Sequence, residues 1–187
     1  MSVPPLLLGS KVNLGPMPES TDFQALYRTW LNSPRVVEGI GGGDCSLEDV
    51  RALHKQWKDD PNDCSFCVFD RQSGEPIGDV NLRLSGGEAD LAVMIGARPG
   101  EGLGTEAVAL ALEYAFEELQ VEKVRLDVFE ENSAALRLYG KLGFQTTDFV
   151  LDESTGRMEY AMAMDQDEWL RRGRERPDSQ DRATAPR

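Results

Sequence analysis

The chain has 187 residues, 40% hydrophobic and 28% charged, a balance that suits one soluble globular domain with a full core. Three cysteines are too few, and odd in number, for a disulfide framework, which points to a reducing cytosol. Net charge is −13, and the stretch 171–187 holds six arginines against three acids, so the body before it stands at −16. That argues against general nucleic-acid or anionic-membrane binding and favours a cationic partner such as a protonated amine. The opening Met1-Ser2-Val3-Pro4-Pro5-Leu6-Leu7-Leu8-Gly9 lacks a basic n-region, and no stretch approaches the ~20 apolar residues of a membrane span.

In chain order, residues 11–17 read as a strand closed by Pro16 and Pro18. Residues 22–32 carry Phe23, Leu26, Tyr27 and Trp30 at helical spacing, with Ser33-Pro34 as the stop. Residues 35–43 are expected to be a loop, and Ser46 to cap a helix running to about Asp59. Strands follow at 65–70, 77–84 and 90–95, the last two joined by the hairpin turn Ser85-Gly86-Gly87. A glycine loop over 98–104 leads into a helix at 105–119. A strand at 123–129, a helix at 133–142 ending at Gly143, and strands at 144–151 and 157–164 complete the pattern. Trp169 and Leu170 are expected to pack a last helical turn; the domain is placed at 1–170, with 171–187 a polar, disordered tail. The order β-α-α-β-β-β-α-β-α-β-β predicts an α/β fold with a mixed, mostly antiparallel sheet, the strand–helix–strand unit from 90 to 129 being right-handed and locally parallel.

Gly100-Glu101-Gly102-Leu103-Gly104-Thr105 lies between a strand and a helix. Its glycines permit tight turning and close approach of a ligand, and the helix start offers free N–H groups, a setting for a diphosphate. A Walker loop would need a lysine after the glycines, which is absent, and a dinucleotide fingerprint would need glycine where Thr105 stands. The diphosphate arm of coenzyme A is the third possibility.

About thirty residues on comes Asn132-Ser133-Ala134-Ala135-Leu136-Arg137-Leu138-Tyr139-Gly140-Lys141-Leu142-Gly143-Phe144. The glycine turn, the strand and this N-x-x-A-x-x-x-Y-x-x-x-G-F run together resemble the GNAT acetyltransferase superfamily. The resemblance implies the GNAT fold, in which two adjacent strands splay apart and hold acetyl-CoA. A narrower likeness runs through Leu6-Leu7-Leu8-Gly9-Ser10-Lys11-Val12, Cys64-Ser65-Phe66, Gly78-Asp79-Val80-Asn81-Leu82, Val93-Met94-Ile95 and Gly102-Leu103-Gly104-Thr105-Glu106-Ala107-Val108. These segments are similar to the N-acetyltransferase 9 family, which is linked to acetylation of tubulin amino termini. The chain departs from the usual wording at Pro99-Gly100, where a glutamine or arginine is usual, and at Glu101, where a basic or neutral residue is usual.

By this resemblance, acetyl-CoA as co-substrate would contact backbone near Met94 and Ile95, the loop Gly100, Gly102, Leu103, Gly104 and Thr105, and Asn132 and Tyr139. Tyr139 is the candidate acid, since a phenol of pKa about 10 keeps its proton at neutral pH. Asn132 either bonds the pantetheine arm or caps its helix. Arg137 and Lys141 are candidates for phosphate contacts. For the base, Asp127, Asp90 and Asp79 compete with an ordered water; Asp127 alternates with Leu126 and Val128 and so faces away from them. Asp79, Asn81 and Asp90 are the candidate acceptor contacts. The acceptor is a protein amino terminus such as that of tubulin, a small amine such as a polyamine or aminoglycoside, or, in a non-catalytic module, a partner surface. No metal site is expected: Cys64 and Cys67, three apart in a strand, point to opposite faces, and His54 is the only histidine, expected to be solvated on a charged helix.

Overall fold

The computed structural model describes residues 4–153 and 155–175. Its strands are β1 (Leu7–Leu8), β2 (Val12–Pro16), β3 (Asp63–Asp70), β4 (Pro76–Ser85), β5 (Glu88–Ile95), β6 (Lys123–Phe129), β7 (Gln145–Asp152) and β8 (Arg157–Asp165). The helices are α1 (Thr21–Leu31), α2 (Pro34–Ile40), α3 (Leu47–Asp59), α4 (Leu103–Glu113), α5 (Ser133–Leu142) and α6 (Gln166–Glu175). All eight strands form one sheet in the order β1-β2-β3-β4-β5-β6-β8-β7. Neighbours are antiparallel except β5 and β6, the parallel pair that α4 connects.

Alternation along the strands sends side chains to two cores. Val80 and Leu82 join Phe66, Val108 and Leu112 under α4 and α5, while Cys67 and Met94 join Phe23, Tyr27, Trp30 and Val50 under α1 and α3. Cys64 and Cys67 fall on opposite sides, as a separation of three requires. The helices start where their caps allow. Ser20 caps α1, and Ser46 with Asp49 forms a reciprocal capping box on α3.

Four expectations change. Pro34 does follow the end of α1, but it also occupies the first turn of α2, where a missing N–H costs nothing; the stretch expected as loop is helical to Ile40. The helix expected from Thr105 begins at Leu103, because Gly102 takes the left-handed cap conformation at φ 76°. His54 is half-buried, its ring 4.9 Å from that of Tyr27 and stacked on Trp57 at 5.6 Å. Its helix is charged on one face only, and the aromatic face covers the imidazole. Finally, α6 is a ten-residue helix that continues past 170; Arg172 donates to the Lys141 carbonyl at the end of α5 and packs against Gly143. The rest of the expected tail, 176–187, lies outside the described residues.

Trp30 is the contact through which α1 fixes the exit of β5. A methyl placed on Gly96 would lie 2.2 Å from the Trp30 ring, so the backbone there passes directly under the indole. Gly96→Ala is expected to cost about 1–3 kcal/mol through overpacking, read as a lower midpoint in urea unfolding.

Candidate active site

Strands β5 and β6 are paired only at Glu88↔Lys123, Ala89↔Val124 and Asp90↔Arg125. Beyond that they part, although β5 runs on to Ile95 and β6 to Phe129. The Gly96 N–H donates to the Ile77 carbonyl at 2.8 Å, so Gly96 turns its backbone toward β4. Alternation then turns the backbone of Met94 the same way and that of Val93 and Ile95 into the opening between β5 and β6. The opening therefore presents extended-strand N–H and C=O groups that β6 does not bond, an edge on which an extended amide chain can pair. Arg35 of α2 reaches its mouth and donates to the carbonyls of Ile95 at 2.6 Å and Gly96 at 3.2 Å.

The glycine loop closes the same end. Gly100 and Gly102 have φ of 85° and 76°, in the left-handed region that favours glycine. Since Gly102 caps α4, the first amides of the helix, on Leu103, Gly104 and Thr105, have no partner within it and are free for an anion. Gly104 has a different role: a methyl there would meet Ile95 at 3.2 Å and Leu138 at 3.4 Å, so it lets α4 sit close on β5 and α5. Glu101 does not oppose an anion with a bare charge. Arg98 grips both its oxygens, at 2.6 and 3.1 Å, and also pairs with Asp70; the Arg98 bond holds the Glu101 carboxyl below its ordinary range.

Helix α5 carries Asn132 at its N-cap and Tyr139 in its last turns, and reaches Gly104 through Leu138. Asn132 accepts from the Ala135 N–H at 3.2 Å, capping the helix, and donates to the Gly39 carbonyl at 3.1 Å, tying α2 to α5. Tyr139 is buried and meets Phe144 edge-on at 5.5 Å, and burial pushes its phenol up to about 12. Arg137 and Lys141 are exposed.

The three candidate bases separate. Asp127 and Asp90 are exposed on one sheet face at the base of the opening, opposite to buried Leu126 and Val128. Burial and then the Asp90 charge raise the Asp127 carboxyl, against the pull of Arg125; Arg125 also lies 3.5 Å from Asp90. Asp79 is on the same face but closed off beneath α1, where the Tyr27 hydroxyl donates to it at 3.2 Å. Asn81 is turned inward and donates to Ser65 at 2.6 Å and Asp63 at 3.3 Å. The structure seats α5 beside the loop helix through Leu138 and Gly104, keeps Tyr139 in the core against Phe144, and leaves Asp79 and Asn81 inside the wall. Met94 has its side chain in the core under α1, and Ile95 rather than Met94 offers backbone to the opening. Arg35 was not among the sequence candidates; an arginine one residue after a helix-starting proline carries no signal of its own. Among the described residues no group of three or more His, Cys, Asp or Glu is arranged to hold a metal ion, and no helix is long and apolar enough to cross a membrane.

A parted strand pair, strand backbone that β6 does not bond along one side and a glycine-capped helix start at its end fit a ligand with a diphosphate and a narrow amide-bearing arm, which describes coenzyme A. The sequence profile of the acetyltransferase (GNAT) domain matches residues 11–145, and the chain belongs to that family. It is an acyltransferase that uses acetyl-CoA to acetylate an amine nitrogen. Within the family it is similar to the alpha/beta-tubulin-N-acetyltransferase 9 of Homo sapiens, 31% identical over 184 residues that cover 88% of this chain and 87% of that one. It is also similar to the N-acetyltransferase 9-like protein of Caenorhabditis briggsae, 32% identical over 139 residues, 66% of this chain and 70% of that one. Among solved structures, its fold is similar to that of spermidine N-acetyltransferase from Vibrio cholerae in complex with CoA and spermine, with a TM-score of 0.76 and 22% identity over 87% of this chain and 99% of that one.

Asp79 gives a pH signature. Burial raises its carboxyl to about 7, against the lowering effect of the Tyr27 hydrogen bond, whereas the unfolded carboxyl titrates at about 3.9. The folded state binds the extra proton, so stability falls as pH rises from about 4 to 7 and stays at the lower level above. Asp79→Asn is expected to remove this fall and to be more stable than wild type at pH 8 by on the order of 2–4 kcal/mol, at about 1.4 kcal/mol per pH unit. Denaturant unfolding at pH 5 and pH 8 reads both effects; equal slopes for the two proteins would mean that Asp79 is charged in the fold.

Proposed function

We propose that the protein acetylates the amino terminus of another protein, with tubulin as the acceptor to test first. The observation that carries this is the open base of the slot. Asp90 and Asp127 stand exposed on the sheet face that α1 and α3 leave uncovered, accessible to a chain end carrying positive charge. Similarity to the human tubulin acetyltransferase along most of both chains supports the acceptor class. The three free cysteines fit work in the cytosol.

The chemistry is undemanding of the protein if the acceptor is an α-amine. Removing its proton at pH 7 costs about 1 kcal/mol, against about 4.6 kcal/mol for a lysine side chain, from pKa values of about 7.7–8.0 and 10.4. Asp127 takes that proton, directly or through a water, and its raised carboxyl is a better acceptor for it than an ordinary aspartate. When bound, acetyl-CoA supplies the acyl group as an activated thioester. The amides of Leu103, Gly104 and Thr105 hold the diphosphate, the backbone of Val93 and Ile95 aligns the pantetheine arm, and Tyr139 keeps its phenolic proton available for the departing sulfur. Asn132 keeps α5, and so Tyr139, at its post.

The acidic face also suits a polyamine, and the fold is shared with a spermidine acetyltransferase. Initial rates with amino-terminal tubulin peptides and with spermidine, at equal acetyl-CoA, separate the two: higher kcat/KM on the peptides is expected, and transfer to spermidine alone would remove the tubulin proposal. With the better acceptor, Tyr139→Phe is expected to lower kcat by about 10²-fold while leaving CoA affinity unchanged.

A further inference from the structure

Glu106, in the first turn of α4, is fully engaged. Its carboxylate accepts from the backbone N–H groups of Ser10, Lys11 and Val12 at 2.6, 2.6 and 2.9 Å and from the Ser10 hydroxyl at 2.5 Å. Burial alone would raise this carboxyl, but the four hydrogen bonds outweigh it and hold it below its ordinary range. The turn that opens β2 is thereby pinned to the helix that opens the coenzyme site, though ninety-five residues separate Lys11 from Glu106 along the chain.

The pin delivers Lys11 to the helix start. Its Nζ donates to the Glu101 carbonyl at 3.4 Å and lies 3.7 Å from where a Cβ on Gly102 would stand. This hydrogen bond is to a backbone oxygen, and the ammonium also helps to hold the nearby Glu101 carboxyl low, after the larger effect of Arg98. Arg98, the basic residue within the loop itself, is in contrast committed to the carboxylates of Asp70 and Glu101. A cavity of about 500 Å³ adjoins the loop, and Lys11, Arg71, Arg98 and Glu101 are among the residues on its walls. Arg71, on the same wall, donates to the Gly9 carbonyl at 2.6 Å and does not come within 4 Å of the Cβ position on Gly102, as Lys11 does.

We propose that Lys11 is the side chain that binds the coenzyme diphosphate in this protein. The loop's own arginine is spent on balancing Glu101 and Asp70, and the cation comes instead from the N-terminal turn, held in place by Glu106. The ammonium sits over the residue whose left-handed backbone opens the free amides of α4, so a diphosphate bound to those amides lies within its reach. This rests on the assignment of the parted strands and glycine loop to coenzyme A.

The test is calorimetric titration of CoA into the full chain and its variants. Lys11→Met is expected to raise Kd about tenfold and Lys11→Arg to stay near wild type, with the Met deficit shrinking as salt rises from 50 to about 500 mM. The same deficit is expected with dephospho-CoA, which keeps the diphosphate. An unchanged Kd for Lys11→Met, or a deficit that vanishes with dephospho-CoA, overturns the assignment of Lys11 while wild-type binding still upholds the coenzyme site. No measurable binding by the wild type overturns the coenzyme site itself.

Discussion

Beyond Asp90 and Arg125 the backbone of β5 has no strand to bond on its β6 side, in the middle of an eight-stranded sheet. Peptide groups in such a place must find partners, and the fold supplies none from β6. What holds the two strands apart is packing around them. Trp30 and the close passage over Gly96 direct β5 outward, Gly104 seats α4 against Ile95, and Asn132 ties α5 back to α2. In the proposed reading, an extended amide chain would complete the sheet where the protein leaves it incomplete.

Charge is arranged around that slot in two zones. At the helix end, carboxylates are engaged at short range: Glu101 and Asp70 share Arg98, and Glu106 accepts from backbone donors. An anion can therefore approach the α4 amides in a chain whose net charge is −13. At the other end, Asp90 and Asp127 remain exposed and Arg125 only partly offsets them, a setting for a cation. Under the proposed function, anionic coenzyme and cationic acceptor would be drawn to opposite ends of one opening, a separation that net charge alone does not reveal.

Much of this was legible in the sequence because local rules agree with the fold. The order of elements from β3 to β8, the parallel β5–β6 pair, the αL residue at Gly143 and the outward face of Asp127 follow from periodicity and glycine placement. The misses have physical causes. Proline ends one helix and starts the next with equal ease, so Pro34 concealed α2. A glycine run gives no sign of which member caps, so the start of α4 was placed two residues late. Period-2 alternation tells which side chains share a face but not which backbone groups face a neighbour; only the strand register assigns Ile95 rather than Met94 to the slot. Asp79 looked like a cleft residue because burial under α1 is a tertiary fact, and Lys11 meets Gly102 across a long sequence gap.

The central claim is the location of the coenzyme, and a crystal structure of the protein soaked with acetyl-CoA tests it most directly. The pantetheine arm is expected bonded to the backbone of Val93 and Ile95 between the parted strands, the diphosphate at the amides of Leu103 to Thr105, and the thioester sulfur beside the Tyr139 hydroxyl. Density for the nucleotide elsewhere, with β5 and β6 still parted and nothing between them, would contradict it.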